Sequence, residues 1–195
     1  MKMMRGRYVA LLVAIAATVG VDACGDVTGL RAQLENFAVD SIVVHAMNGS
    51  PPALPAAMIV RAAAVVPITA DYNFDVAFDI DNSGAVVIHT VKAVASQFIP
   101  AHRVGLQLSS KPYDEITSSP TSGFVYDSSL TVPIGQTVLV DIIDQSCSLY
   151  SFLGQNIRAK FAVDSLSLSQ RLVYLHAFVD PNCGFRSLSP GTPKE

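Results

Sequence analysis

The chain has 195 residues, half of them hydrophobic and only 15% charged, with a formal net charge of −3 at pH 7. That length allows one domain with a substantial core, and the slight excess of acid leaves no basic footprint for nucleic acid. Beyond the first seven residues, no Lys/Arg cluster is present that would hold an anionic lipid surface by charge.

The N-terminus reads as an address. Lys2, Arg5 and Arg7 make the first residues positive, and YVALLVAIAATVGV, from Tyr8 to Val21, is uncharged and almost wholly apolar. A charged stretch followed by an apolar one is the pattern of a secretory signal. The apolar run of 14 residues is shorter than the roughly 20 that a helix needs to cross a bilayer. Val21, Asp22 and Ala23 stand directly before Cys24, an arrangement that resembles a bacterial lipoprotein signal, in which the cysteine is lipidated and becomes the mature N-terminus. The resemblance covers residues 1 to 24. It implies removal of residues 1–23, attachment to membrane lipid through Cys24, and a periplasmic or cell-surface location. Gly25 as second mature residue favours the outer membrane. Ordinary cleavage near Ala23, or an uncleaved apolar helix shielded within a membrane assembly, accounts for the same residues. Cleavage would remove three of the 13 basic residues and one of the 16 acidic, leaving 10 and 15 and a net charge near −5.

Three cysteines are an odd number in an exported chain. With Cys24 assigned to lipid, Cys147 and Cys183 remain, and an oxidising compartment favours their pairing. The bridge would enclose 37 residues, for which the chain-entropy model gives about 4 kcal/mol.

Residues 24–39 are expected to form a linker or short helix, because VTGLRAQLENFA brings Leu30, Leu34 and Phe37 to one helical face; a surface turn is the alternative. From Asp40 the period falls to two. SIVVHAM reads as a strand, NGSPPALPAA interrupts with three prolines, and MIVRAAAVV resumes a strand-like run. In NFDVAFDI, Phe74, Val76, Phe78 and Ile80 alternate with Asp75, Ala77 and Asp79, as in a sheet with one dry face.

AVVIHTVKAVA, RVGLQL, TVLVDII, NIRAKFAVDSL and RLVYLHAFV supply further strands. Ile157, Ala159, Phe161 and Val163 alternate with Arg158, Lys160, Ala162 and Asp164, so the second set meets solvent or a partner across the strand. Residues 109–129, rich in Ser, Thr, Pro and Gly, read as a long loop or edge hairpin. Its Tyr113, Phe124 and Tyr126 are candidates for contact with a ligand or partner. Residues 188–195 read as a flexible tail. Seven to nine short strands without long intervening helices predict a mainly β fold: an antiparallel β-sandwich of Ig-like or Greek-key type over residues 40–187.

The chemistry on offer is sparse. DIDNSG places Asp79, Asp81, Ser83 and Gly84 at the first, third, fifth and sixth positions of a calcium loop, but the twelfth is Thr90 rather than glutamate. A hairpin turn explains the same residues. If a metal bound there, Asp75 would be the extra charge. His45, His89, His102 and His176 lack zinc-hydrolase spacing. No serine elbow or cysteine–base pair is present, and Asp141 and Asp144, three apart, fall on opposite strand faces.

The expectation is therefore a non-catalytic, extracytoplasmic, lipid-anchored β domain. It would be a structural or accessory component of an envelope or membrane-protein assembly, with a protein partner, no cofactor and no nucleic acid. The alternatives are a carbohydrate- or small-ligand-binding module using Tyr113, Phe124 and Tyr126, and an integral accessory subunit that retains its apolar helix.

Overall fold

A computed structural model describes residues 32–100, 102–149 and 154–194. The signal, Cys24 and the first part of the expected helix lie outside the described residues. Two antiparallel sheets pack face to face as a β-sandwich. The larger contains β1 (Phe37–His45), β6 (His102–Leu108), β7 (Val125–Tyr126), β9 (Thr137–Asp144), β10 (Asn156–Ser167) and β11 (Leu172–Asp180), in the order β1-β11-β10-β9-β6-β7. The smaller contains β2 (Ala57–Ile59), β3 (Ala64–Val66), β4 (Val76–Ile80), β5 (Val86–Thr90) and β8 (Ser129–Val132), in the order β3-β2-β4-β5-β8. No helix among the described residues is long and apolar enough to cross a membrane.

The two-residue period builds the core. Val104 and Leu106, Val138, Val140 and Ile142, and Ile157, Ala159, Phe161 and Val163 point from the larger sheet toward Val76, Phe78, Ile80, Val86 and Ile88 of the smaller one. Burial of these side chains is the main attractive term holding the layers together.

Elsewhere, tertiary contacts override the local pattern. The described part of the expected helix, residues 32–38, is not helical. The backbone N–H groups of Gln33 and Leu34 both donate to Oδ1 of Asn182, and Phe37 pairs with Val179. Strand addition satisfies this backbone directly, so β1 begins three residues before the expected boundary. MIVRAAAVV is a hairpin rather than one strand: β2 and β3 pair with each other across a 3₁₀ turn, Val60–Ala62, that ends at Ala63 in the left-handed region. AVVIHTVKAVA divides after β5 into α1 (Val91–Val94), whose first turn is capped by Thr90 Oγ1 accepting from Ala93 N.

NFDVAFDI also departs from a sheet with one wet face. Every residue of β4 is buried. Val76, Phe78 and Ile80 enter the main core, whereas Ala77 packs outside it with Phe74, Ala57 and Val91 in a second cluster. Phe74 thus parts from the alternation because it precedes the strand. The expected tail is docked: Leu188 is buried and donates its N–H to Thr117, and Gly191 pairs with Asn36.

Candidate functional site

The outer face of the larger sheet carries a row of polar groups that run across five strands. Pairing places Tyr126 of β7 beside Gly105 of β6, Gly105 beside Asp141 of β9, Asp141 beside Arg158 of β10, and Arg158 beside Asp180 of β11. Gly105 is the gap that makes the row work. A Cβ there would lie 2.8 Å from Cε1 of Tyr126 and 2.9 Å from Cβ of Phe124. Without it, the Tyr126 ring crosses β6 and its hydroxyl donates to Oδ2 of Asp141.

Asp141 also accepts from Nδ2 of Asn156 at 2.8 Å and lies 2.6 Å from Nη1 of Arg158. Both members of that ion pair are buried. Such a pair persists because removing either partner would strand a charge away from water. Burial and the Asp141 hydrogen bond push the Tyr126 phenol up to about 12. At the end of the row, burial raises the Asp180 carboxyl above its ordinary range, while Asn182 hydrogen bonds oppose the shift.

One residue pair further along, Lys160 projects from the same face. Its ammonium donates to the carbonyls of Tyr113 at 2.9 Å and Ile116 at 2.8 Å, and sits 4.2 Å from the Tyr113 ring centroid. Burial lowers its pKa. The long segment 109–129 is thereby strapped over the sheet, with Ile116, Leu139, Phe178 and Leu188 forming an apolar cluster beneath it. Arg158 and Lys160 are buried, not solvent-facing, because this strap and the C-terminal segment cover them.

The same geometry places the three candidate aromatics. Tyr113 stacks edge-on to His176 and lies over Lys160; Phe124 lies over Arg158, and Arg103 over Tyr126. All three rings are partly buried and turned toward the sheet. They do not converge as free walls of a groove, because each ring is engaged with a cation of its own sheet.

A second polar site lies between the sheets. Nε2 of His102, at the start of β6, is 2.7 Å from Oδ1 of Asp75 just before β4, and Asp75 Oδ2 accepts from Val60 N. Ile59, Arg61, Phe74, Ile142, Asp144 and Ile157 help line the adjoining cleft of about 190 Å³. The hydrogen bond to Asp75 raises the imidazole pKa, assisted by the charges of Asp75 and Asp144 and opposed by burial. Asp144 thus serves this cleft while Asp141 serves the outer face, as their offset requires.

The DIDNSG oxygens already have protein partners. Asp81 Oδ1 accepts from Ser83 N, Ser83 Oγ and Ala85 N in the turn between β4 and β5, where Gly84 takes φ +84°. Asp79 is held by Asn48 and by Nη2 of Arg171 at 3.0 Å. Among the described residues, no group of three or more His, Cys, Asp or Glu is placed to hold a metal ion. His89 contacts Ser129 and His176 contacts Asp164. His45 is partly buried within β1. Cys147 and Cys183 form a disulfide that ties the 3₁₀ turn Gln145–Leu149 to the segment after β11.

No family model, curated protein or solved structure gives a significant match to this chain.

Sequence patterning missed both polar sites because each joins residues distant along the chain. Two signals were nonetheless present. Gly105 lies in the interior of β6, where glycine marks close approach by another group, and the cations Arg158 and Lys160 alternate within β10, with Arg158 opposite Asp141.

Proposed function

We propose that this protein is a non-catalytic, extracytoplasmic β domain, anchored by lipid at Cys24, that serves as an accessory component of an envelope assembly. One observation carries the reading: the buried charges of the larger sheet, Asp141, Arg158 and Lys160, are engaged by the chain's own strap and aromatics. Groups of that kind would drive chemistry if they faced a substrate; here they fasten the fold closed. The Cys147–Cys183 bridge suits an oxidising compartment. Twelve residues separate Cys24 from Phe37, the first residue of β1.

The Ig-like or Greek-key class belongs to the same proposal. It is supported by a chain that passes between the sheets after β1, β5, β7 and β8. Non-catalytic character, the outer-membrane location and a protein partner follow from the same reading.

Non-reducing mass spectrometry of the protein extracted from its native membrane tests it. The expected result is a mature N-terminus at Cys24 carrying acyl mass, together with a Cys147–Cys183 cross-linked peptide. Cleavage with an unmodified Cys24 would overturn the anchor. An intact Met1 would replace it with an integral subunit that keeps its apolar segment.

A further inference from the structure

Where the strap leaves the sheet, it roofs a cleft of about 290 Å³. Ser109, Ser110, Lys111, Ser118, Ser119 and Arg186 supply its polar wall, and Ile116 and Leu139 lie on its apolar side. No carboxylate lines it, although the chain as a whole has more acids than bases. Lys111 and Arg186 take part in none of the ion pairs among the described residues. Arg186 is fixed by Nε donating to the Ser119 carbonyl at 2.8 Å, which leaves its terminal nitrogens available.

Two cations without acidic partners attract an anion. The hydroxyls of Ser109 and Ser119 are spent on the carbonyls of Lys111 and Pro120, and the exposed Ser110 and Ser118 supply hydroxyls that both donate and accept, as the hydroxyls of a sugar require. The volume is near the lower end of ligand pockets, roughly 300 Å³, which suits one ring better than an extended chain. The geometry points to a binding site for an anionic sugar: a single carboxylated saccharide unit whose acid group faces Lys111 and Arg186 and whose hydroxyls face Ser110 and Ser118. Tyr113, Phe124 and Tyr126 do not line this cleft, and it does not depend on the lipid anchor. An accessory envelope protein with such a site would hold an acidic glycan or take up a free sugar acid.

Calorimetric titration of the full-length chain in detergent tests the site with three probes: glucuronate, glucose as its neutral counterpart, and inorganic phosphate as a bare anion. Glucuronate is expected to bind best, to weaken as salt is raised, and to lose about tenfold in affinity with Lys111→Gln, the loss expected for one charge-assisted hydrogen bond. Lys111 is exposed, so its variant should keep the wild-type unfolding midpoint. Arg186→Gln is the second variant and should give a comparable loss. A uronate disaccharide distinguishes the sources: tighter binding than the monomer indicates a glycan, equal binding a free sugar acid, and either supports the site. Absence of glucuronate binding, equal binding of glucose, or indifference to both substitutions would overturn the site. Phosphate binding as tight as glucuronate would overturn its assignment to a sugar.

Discussion

Tyr126 reaches across the whole of β6 to hydrogen-bond Asp141 on β9, and it does so through the space left by Gly105. Tyr126→Phe keeps the ring and removes one donor from a buried carboxylate. A loss of about 1.5 kcal/mol in urea unfolding is expected, the usual scale for a hydrogen bond to a charged group. Gly105→Ala should cost about 1–3 kcal/mol by overpacking against Tyr126 and Phe124. Its penalty should shrink when Tyr126 is also alanine. Strict additivity of those two substitutions would argue against the contact.

Lys160 fastens the strap through two carbonyls. Lys160→Met retains the apolar stem and removes the donors. Hydrogen exchange at Glu115 and Ile116, whose amides close the Tyr113–Glu115 turn, is expected to rise about tenfold, as suits loss of roughly one net hydrogen bond. Protection in β4 and β5 should stay unchanged. Uniform acceleration across both sheets would show that Lys160 stabilises the whole fold rather than the strap.

His102 and Asp75 join the two sheets, so their titration should appear in stability. Asp75 holds the imidazole pKa above 6.5, so the folded state binds the proton more tightly than the unfolded state. The stabilisation is full below pH 6.5 and fades as pH rises through the higher folded value. The stability difference between wild type and His102→Gln, measured by urea unfolding across pH, should therefore narrow above that point. A difference independent of pH would exclude the pair as its source. His89 titrates in the opposite sense, its pKa lowered by burial, and it cancels in this subtraction.

The disulfide closes a loop with a sequence separation of 36. Replacing Cys147 and Cys183 together with serine should destabilise the chain by about 4 kcal/mol in the chain-entropy model. Thermal unfolding with and without reductant provides the check: reductant should lower the wild-type midpoint toward that of the double variant and leave the variant unmoved.

Much of the architecture is legible in the sequence. Period-two alternation located β6, β9, β10 and β11, since a strand sends successive side chains to opposite faces wherever it pairs. Cysteine parity pointed to the Cys147–Cys183 bridge, and DIDNSG between two strand-like runs pointed to the hairpin turn. The pattern could not say what lies against each face. The alternating cations of β10 read equally as solvated or as paired, and only the return of segment 109–129 and of Leu188 made Arg158 and Lys160 buried. Residues 32–38 had a helical spacing that β11 and Asn182 overruled by supplying partners for their backbone. Local sequence determines the direction of a side chain; the tertiary fold decides whether water, a charge or another strand is waiting there, because those partners come from parts of the chain far away in sequence.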